Sequence, residues 1–283
     1  MKSLEYKFLT FALSLVALAT ACQPAEAQSI YNKLIFHPKK TPRGYWNYKP
    51  VCGIGPESVT FRSASKNQIH GLLYSNARSN KTILLSHGNA YNCADRSGLV
   101  EKLLKTGASV LIYDYSGYGQ STGKPSMAGI SKDGAAALSY LTEVRKVPAK
   151  RIILCGESLG TLVAGRLAGV AQCGGLIMVC PLLSLRRVGG DATSIIKYTP
   201  SSSFSSACKE LENITPLQAN AIPKLFVAGT ADPLTRIEQA DELVAAAAEP
   251  KTYLRIDGAR HGDQAMLEDP VFSDTLATFI AAI

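Results

Sequence analysis

From residue 58 onward the chain alternates short apolar runs with longer segments in which apolar residues return every three or four positions. Residues 58–62 and 69–74 predict two early strands, arranged as a hairpin. Residues 82–86 (TILLS) predict a short buried strand, and 94–105 a helix with Leu99, Leu103 and Leu104 on one side. The alternation continues with strands over 109–113, 151–155, 176–180, 224–228 and 252–256. Helices fall at 130–144, 159–170, 237–248 and 270–281. Continuous apolar strands between amphipathic helices predict an α/β fold with a mostly parallel sheet covered on both faces. The stretch from Pro181 to Pro223 breaks this rhythm and contains Ser201-Ser202-Ser203. A connection that long inside one domain is usually functional, and residues 182–221 are expected to form a cap or lid.

The N-terminal pattern is different. Residues 8–21 (FLTFALSLVALATA) carry no charge and follow a short start containing Lys2 and Lys7. Fourteen residues are too few for a bilayer span of about 20, but they suit the apolar core of an export signal. Two cleavage sites are readable. Ala25-Glu26-Ala27 fits an ordinary signal peptidase. Ala19-Thr20-Ala21-Cys22 is similar to a lipoprotein signal, after which Cys22 would be acylated, although Ala19 stands where Leu is usual. The expected division is a signal over 1–21 (or to 27), an arm over 22–57 and one domain over 58–283. The product would be exported to a periplasmic or extracellular site, with membrane association through Cys22 if that residue is lipidated.

Composition then removes other classes. With 283 residues, 46% hydrophobic and 18% charged, the chain is neither disordered nor fibrous. Seven Cys are too sparse for a disulfide scaffold. Cys173 and Cys180 flank an extended run spanning about 23 Å, far beyond the roughly 7 Å Cα limit for a bridge, and Cys155 lies within an apolar strand. There is no C-x-x-C and only four His, so neither metal nor cofactor is expected. The net charge is +8, but the longest basic groups are Lys39-Lys40 and Arg186-Arg187. Without a basic stripe or a recognisable motif, nucleic acid is not an expected partner.

The candidate chemistry is a serine nucleophile. G-x-S-x-G occurs twice, as Gly119-Gln120-Ser121-Thr122-Gly123 and Gly156-Glu157-Ser158-Leu159-Gly160. A nucleophile elbow needs a strand, a tight turn and then a helix. Only Ser158 has that setting; Ser121 lies well past its strand, with Pro125 close behind. A serine hydroxyl needs a base, usually His held by a carboxylate, in the order Ser, acid, His for this elbow. His261 is the one His after Ser158. Asp232 follows the strand 224–228 and is separated from His261 by one helix and one strand, so both would reach the same sheet edge. Asp257 is the rival acid; Asp191, Glu210 and Glu212 lie in the expected lid. Backbone N–H groups of Leu159 and Asn89 are the candidate oxyanion donors. His87 would shape the Asn89 loop rather than act as a base.

Taken in order, Ser86-His87-Gly88-Asn89, Tyr113-Asp114-Tyr115-Ser116-Gly117-Tyr118-Gly119, the Ser158 elbow, Gly229-Thr230-Ala231-Asp232 and Gly258-Ala259-Arg260-His261 resemble the α/β-hydrolase superfamily. Within it the chain resembles the branch of the depalmitoylating serine hydrolases. HGNA, YDYSGYGQSTGKPS and the Asp232 loop are the most specific shared strings. The resemblance covers about 58–283, with an echo at Leu34-Ile35-Phe36-His37-Pro38. It implies a metal-free hydrolase of small acyl esters or thioesters with a small cap. The cap itself matches only at its ends, so acyl preference does not carry over. A peptidase or amidase on the same triad, and a non-catalytic lipid- or partner-binding module, are the alternatives. Ser rather than Asp at the elbow disfavours haloalkane chemistry.

Overall fold

The structure is a computed structural model that describes residue 32 and residues 35–77, 79–187 and 211–283. The leader, Cys22, Asp191, Cys208, Glu210 and the middle of the expected cap lie outside the described residues.

Ten strands run in chain order: β1 (His37–Pro38), β2 (Glu57–Arg62), β3 (Gln68–Tyr74), β4 (Thr82–Ser86), β5 (Ala90–Tyr91), β6 (Ser109–Tyr113), β7 (Ile152–Glu157), β8 (Gly175–Val179), β9 (Lys224–Gly229) and β10 (Lys251–Ile256). Eight of them form one sheet in the order β10-β9-β8-β7-β4-β6-β3-β2. The expected hairpin is present: β2 and β3 pair antiparallel, as do β3 and β6. The remaining contacts within this sheet are parallel. Every residue of β4 and β8 is buried, which explains their unbroken apolar runs.

Helices α1 (Ser97–Lys105), α2 (Met127–Ser139), α3 (Leu159–Val170), α4 (Ile214–Gln218), α5 (Ile237–Ala246), α6 (Gln264–Glu268) and α7 (Pro270–Ala282) complete the fold. They bury two apolar layers, one on each face of the sheet. α1 buries Leu99, Val100, Leu103 and Leu104. Its start differs from the expectation at 94, because Asn92 caps a 3₁₀ turn over Cys93–Arg96 first. α2 begins three residues before the apolar pattern does. The Ser126 side chain there accepts from the Gly129 N–H and satisfies an otherwise orphaned donor. α7 starts with Pro270 behind Asp269, whose carboxylate accepts from the Val271 and Phe272 N–H groups. Short α6 was not legible from periodicity.

The described ends of the expected cap are tied to the body. Ser184 bridges Glu212, the Leu182 N–H donates to the Thr161 hydroxyl, and Asn213 Nδ2 donates to the Leu182 carbonyl. Among the described residues no helix is long and apolar enough to cross a membrane.

Parallel pairing levels the carboxyl ends of the central strands. Ser86 pairs with Gly156, and Gly229 with Ile256. The loops carrying Asn89, Ser158, Asp232 and His261 therefore leave the same sheet edge, where α/β folds place their ligands.

Candidate active site

Ser158 stands between β7 and α3 with φ 52° and ψ −118°, a left-handed conformation that is costly for a residue with a side chain. The surroundings hold it there. Its N–H donates to the Val179 carbonyl (2.9 Å), and its carbonyl accepts from the Thr161 N–H (2.9 Å) and hydroxyl (2.6 Å). Gly160 lets α3 sit against β4, since a Cβ there would run into the Ser86 carbonyl. The result is a hydroxyl at the tip of a sharp turn.

His261 Nε2 lies 2.8 Å from Ser158 Oγ, and its Nδ1 lies 2.7 Å from Asp232 Oδ2. A carboxylate only accepts, so Nδ1 carries the proton and Nε2 is free to accept from the Ser158 hydroxyl. Asp232 also takes the N–H groups of Leu234 and Thr235 on Oδ1 and the Thr235 hydroxyl on Oδ2. Burial alone would favour the neutral acid. The hydrogen bond and charge of His261 and the bonds from Thr235 outweigh it and hold the carboxyl below its usual range. Asp257 is spent elsewhere: it is exposed, and its Oδ1 accepts from the Thr230 hydroxyl at 2.9 Å. Of the two acids, Asp232 is the one at hydrogen-bond distance from His261.

The His261 loop is set by Asp263. Its two oxygens accept from the Arg260 and Met266 N–H groups, the second capping α6. Beneath it, the Gly262 N–H donates to Cys180 Sγ (3.2 Å).

Leu159 opens α3, so its N–H is one of the first-turn donors without a helical acceptor. The Asn89 N–H is aimed by the peptide it belongs to. His87 Nδ1 sits 2.6 Å from the Gly88 carbonyl oxygen, which fixes that peptide plane with the Asn89 N–H on the opposite side. The Tyr118 hydroxyl donates to the Asn89 carbonyl (2.7 Å), the Tyr115 hydroxyl to the His87 carbonyl (2.8 Å), and Asn89 Nδ2 to the Ile35 carbonyl. His87 is fully buried, and burial holds its imidazole below the usual range. It shapes the loop, as the sequence suggested.

Ser121 is nowhere in this arrangement. Its hydroxyl donates to the Asp114 carbonyl (2.7 Å) and accepts from the His70 N–H (2.9 Å).

Among the described residues, two groups contain enough donor atoms for a divalent ion: His70, Cys93 and Asp114, and Cys180, Asp232 and His261. In both, the atoms already have partners: His261 and Asp232 bond each other, and Cys180 Sγ accepts from the Gly262 N–H and donates to Met266 Sδ. Cys93 donates its thiol (3.2 Å) and its N–H (2.8 Å) to Asp114. Burial pushes the Cys93 and Cys180 thiols up, away from the thiolate a metal requires.

Sequence reasoning missed Thr235, Glu157 and Arg96. Thr235 had a signal, since Asp followed three residues later by Thr suits a side-chain-bonded turn. Glu157 was visible only as an elbow residue. Arg96 had no signal at all; it meets Glu157 across 61 positions of sequence.

A family model described as serine aminopeptidase, S33, matches residues 77–199. The uncharacterized protein Rv2307c of Mycobacterium tuberculosis is 34% identical over 209 residues, covering 71% of this chain and 70% of that protein. The alpha/beta hydrolase domain-containing protein 17B of Xenopus laevis is 28% identical over 223 residues, covering 78% and 74%. Among solved structures, the Pyrococcus furiosus esterase Pf2001 superposes with a TM-score of 0.69 at 22% identity, covering 87% of this chain and 99% of that one. The chain is therefore a hydrolase of the α/β-hydrolase superfamily, in the branch that holds the alpha/beta hydrolase domain-containing 17 proteins.

Proposed function

We propose that this hydrolase cleaves carboxylic ester or thioester bonds of acyl substrates through an acyl-enzyme on Ser158. The observation that carries the reading is the unbroken chain Ser158 Oγ, His261 Nε2, His261 Nδ1, Asp232 Oδ2. In this scheme His261 Nε2 takes the Ser158 proton as Oγ attacks the acyl carbon. The carbonyl electrons move onto oxygen, where the Leu159 and Asn89 N–H groups meet the charge. The C–O or C–S bond then breaks, and His261 returns the proton to the leaving group. Water, deprotonated by His261, releases the acid and restores Ser158. Asp232 keeps the imidazole in the required tautomer and stabilises its cationic form.

The serine aminopeptidase family model favours a second reading, hydrolysis of an aminoacyl amide. That substrate needs a carboxylate for its ammonium group. Among the described residues the loop carboxylates beside Ser158 are occupied: Glu157 by Arg96, Asp232 by His261, and Asp263 as a helix cap. This supports the ester reading. A panel of p-nitrophenyl esters from short to long acyl chains, acyl thioesters and aminoacyl amides tests it. Ester or thioester kcat/KM should exceed the best amide by at least ~100-fold. The reverse ratio would replace the esterase reading with the peptidase one.

Export is part of the proposal, and it rests on residues 1–27. Cell fractionation of the full chain beside Cys22→Ser tests it. The variant should leave the membrane fraction for the soluble exported fraction if Cys22 is the anchor. Both proteins in the cytoplasm would overturn export.

A further inference from the structure

Glu157 precedes the nucleophile, and one of its carboxylate oxygens bonds the Asn89 loop, while the other faces Gly262 beside His261. Its Oε2 accepts from Arg96 Nε at 2.6 Å and from the Gly88 N–H at 3.0 Å. Arg96 continues the connection: its Nη2 donates to the Ala90 carbonyl at 2.7 Å. The two anchored peptide groups, Gly88 N–H and Ala90 C=O, flank Asn89 on either side. The pair itself is largely withdrawn from water, with side-chain exposures of 13% for Arg96 and 15% for Glu157. Its two ends come from different elements. Glu157 is the last residue of β7, rigid in the sheet, and Arg96 sits at the start of α1.

We propose that Glu157 and Arg96 form an ionic clamp that positions the Asn89 N–H relative to Ser158. The inference rests on the reading of Asn89 as an oxyanion donor. Both are positioning residues, each acting through the loop backbone by its bond to the Gly88 N–H or the Ala90 carbonyl. The chemistry explains why the partner is Arg. A guanidinium presents several N–H groups in a fixed planar fork, so one residue can hold a carboxylate and a carbonyl at set angles. A Lys ammonium keeps the charge but not the fork. The geometry also couples the two oxyanion donors. Glu157 is bonded through the main chain to Ser158 and Leu159 on one side and to Gly88 through its carboxylate on the other. A shift of the elbow therefore moves both donors together.

An oxyanion donor acts on the transition state rather than on substrate binding, and removing one costs roughly 10²–10³-fold in kcat in other enzymes. Misaiming one should cost less. We expect Arg96→Lys and Glu157→Gln each to lower kcat about 10- to 100-fold with KM within about threefold. The double variant should lose much less than the product of the two, because both changes open the same clamp. Rates are taken per active site, counted by titration with a fluorophosphonate. Hydrogen–deuterium exchange of the backbone amides of residues 88–91 provides a readout that does not pass through catalysis. Those amides should exchange at least about 10-fold faster in both single variants.

The outcomes separate cleanly. Unchanged kcat per titrated site in both variants overturns the clamp, whatever happens to thermal stability, because a purely structural pair would change only the folded fraction. Unchanged exchange at 88–91 overturns it as well. Independent, multiplicative losses would show two separate roles and also overturn it. Failure of the wild-type protein to react with the probe sinks instead the serine hydrolase reading on which the clamp rests.

Discussion

Gly119-Gln120-Ser121-Thr122-Gly123 and Gly156-Glu157-Ser158-Leu159-Gly160 share one five-residue pattern and have opposite fates. Ser158 is held at positive φ, with its hydroxyl turned toward His261. Ser121 is buried in the turn beyond β6. Its hydroxyl bonds to Asp114 and His70, its N–H to the Tyr118 carbonyl, and its carbonyl to Lys40 Nζ. Every polar group of Ser121 is used to fasten a loop. The glycines differ in purpose too. Gly160 lets a helix approach a strand, whereas a Cβ on Gly119 would collide with the Asp114 carboxylate. A motif acquires chemistry from the strand before it and the helix after it, not from its letters.

Substitution can break this contrast. Ser158→Ala should lower kcat by about 10⁶-fold, by analogy with other serine triads. Ser121→Ala should leave kcat within about threefold and cost about 1–2 kcal/mol of stability through its unpaired buried partners. Urea unfolding and ester assays on the two proteins would show the division; comparable activity losses would erase it. Next in size, Asp232→Asn should lower kcat by about 10⁴-fold, as tautomer control is lost. Asp257→Asn should stay within about twofold, since its exposed side chain bonds the Thr230 hydroxyl. Equal losses would reopen the choice of acid.

A smaller effect concerns pH. The Asp232 carboxyl is held below its usual range in the folded protein. Such a group adds stability above its unfolded pKa of about 3.9, and that stability is lost as pH falls through the lower folded value. The stability gap between wild type and Asp232→Asn should thus be largest near neutrality and close below about pH 4. A gap that widens on acidification would show that the carboxyl is not held ionised.

The sequence and the structure agree where burial is continuous. TILLS in β4 and GLIMV in β8 could be read directly, because a strand covered on both faces leaves no polar alternation to interpret. Ser158, His261 and Asp232 were legible because strand order and the elbow constrain which loops meet. α6 was not, since five residues are too few to show a period and its cap, Asp263, reads equally well as a loop residue. The Arg96–Glu157 pair was invisible for a different reason. Nothing in one dimension reports which side chains 61 positions apart will face each other. The start of α2 was one capping residue away from legible: Ser126 was present in the sequence, but the apolar pattern points to a start only at Ile130, three residues after Met127.

Fluorophosphonate labelling followed by peptide mapping, on wild type, Ser158→Ala and Ser121→Ala, tests the assignment most directly. Wild type and Ser121→Ala should carry one phosphonate on Ser158, and Ser158→Ala should carry none and hydrolyse no ester above background. A phosphonate on Ser121, or near wild-type ester cleavage by Ser158→Ala, would contradict Ser158 as the nucleophile, and an unlabelled wild type would favour a binding module on a hydrolase scaffold.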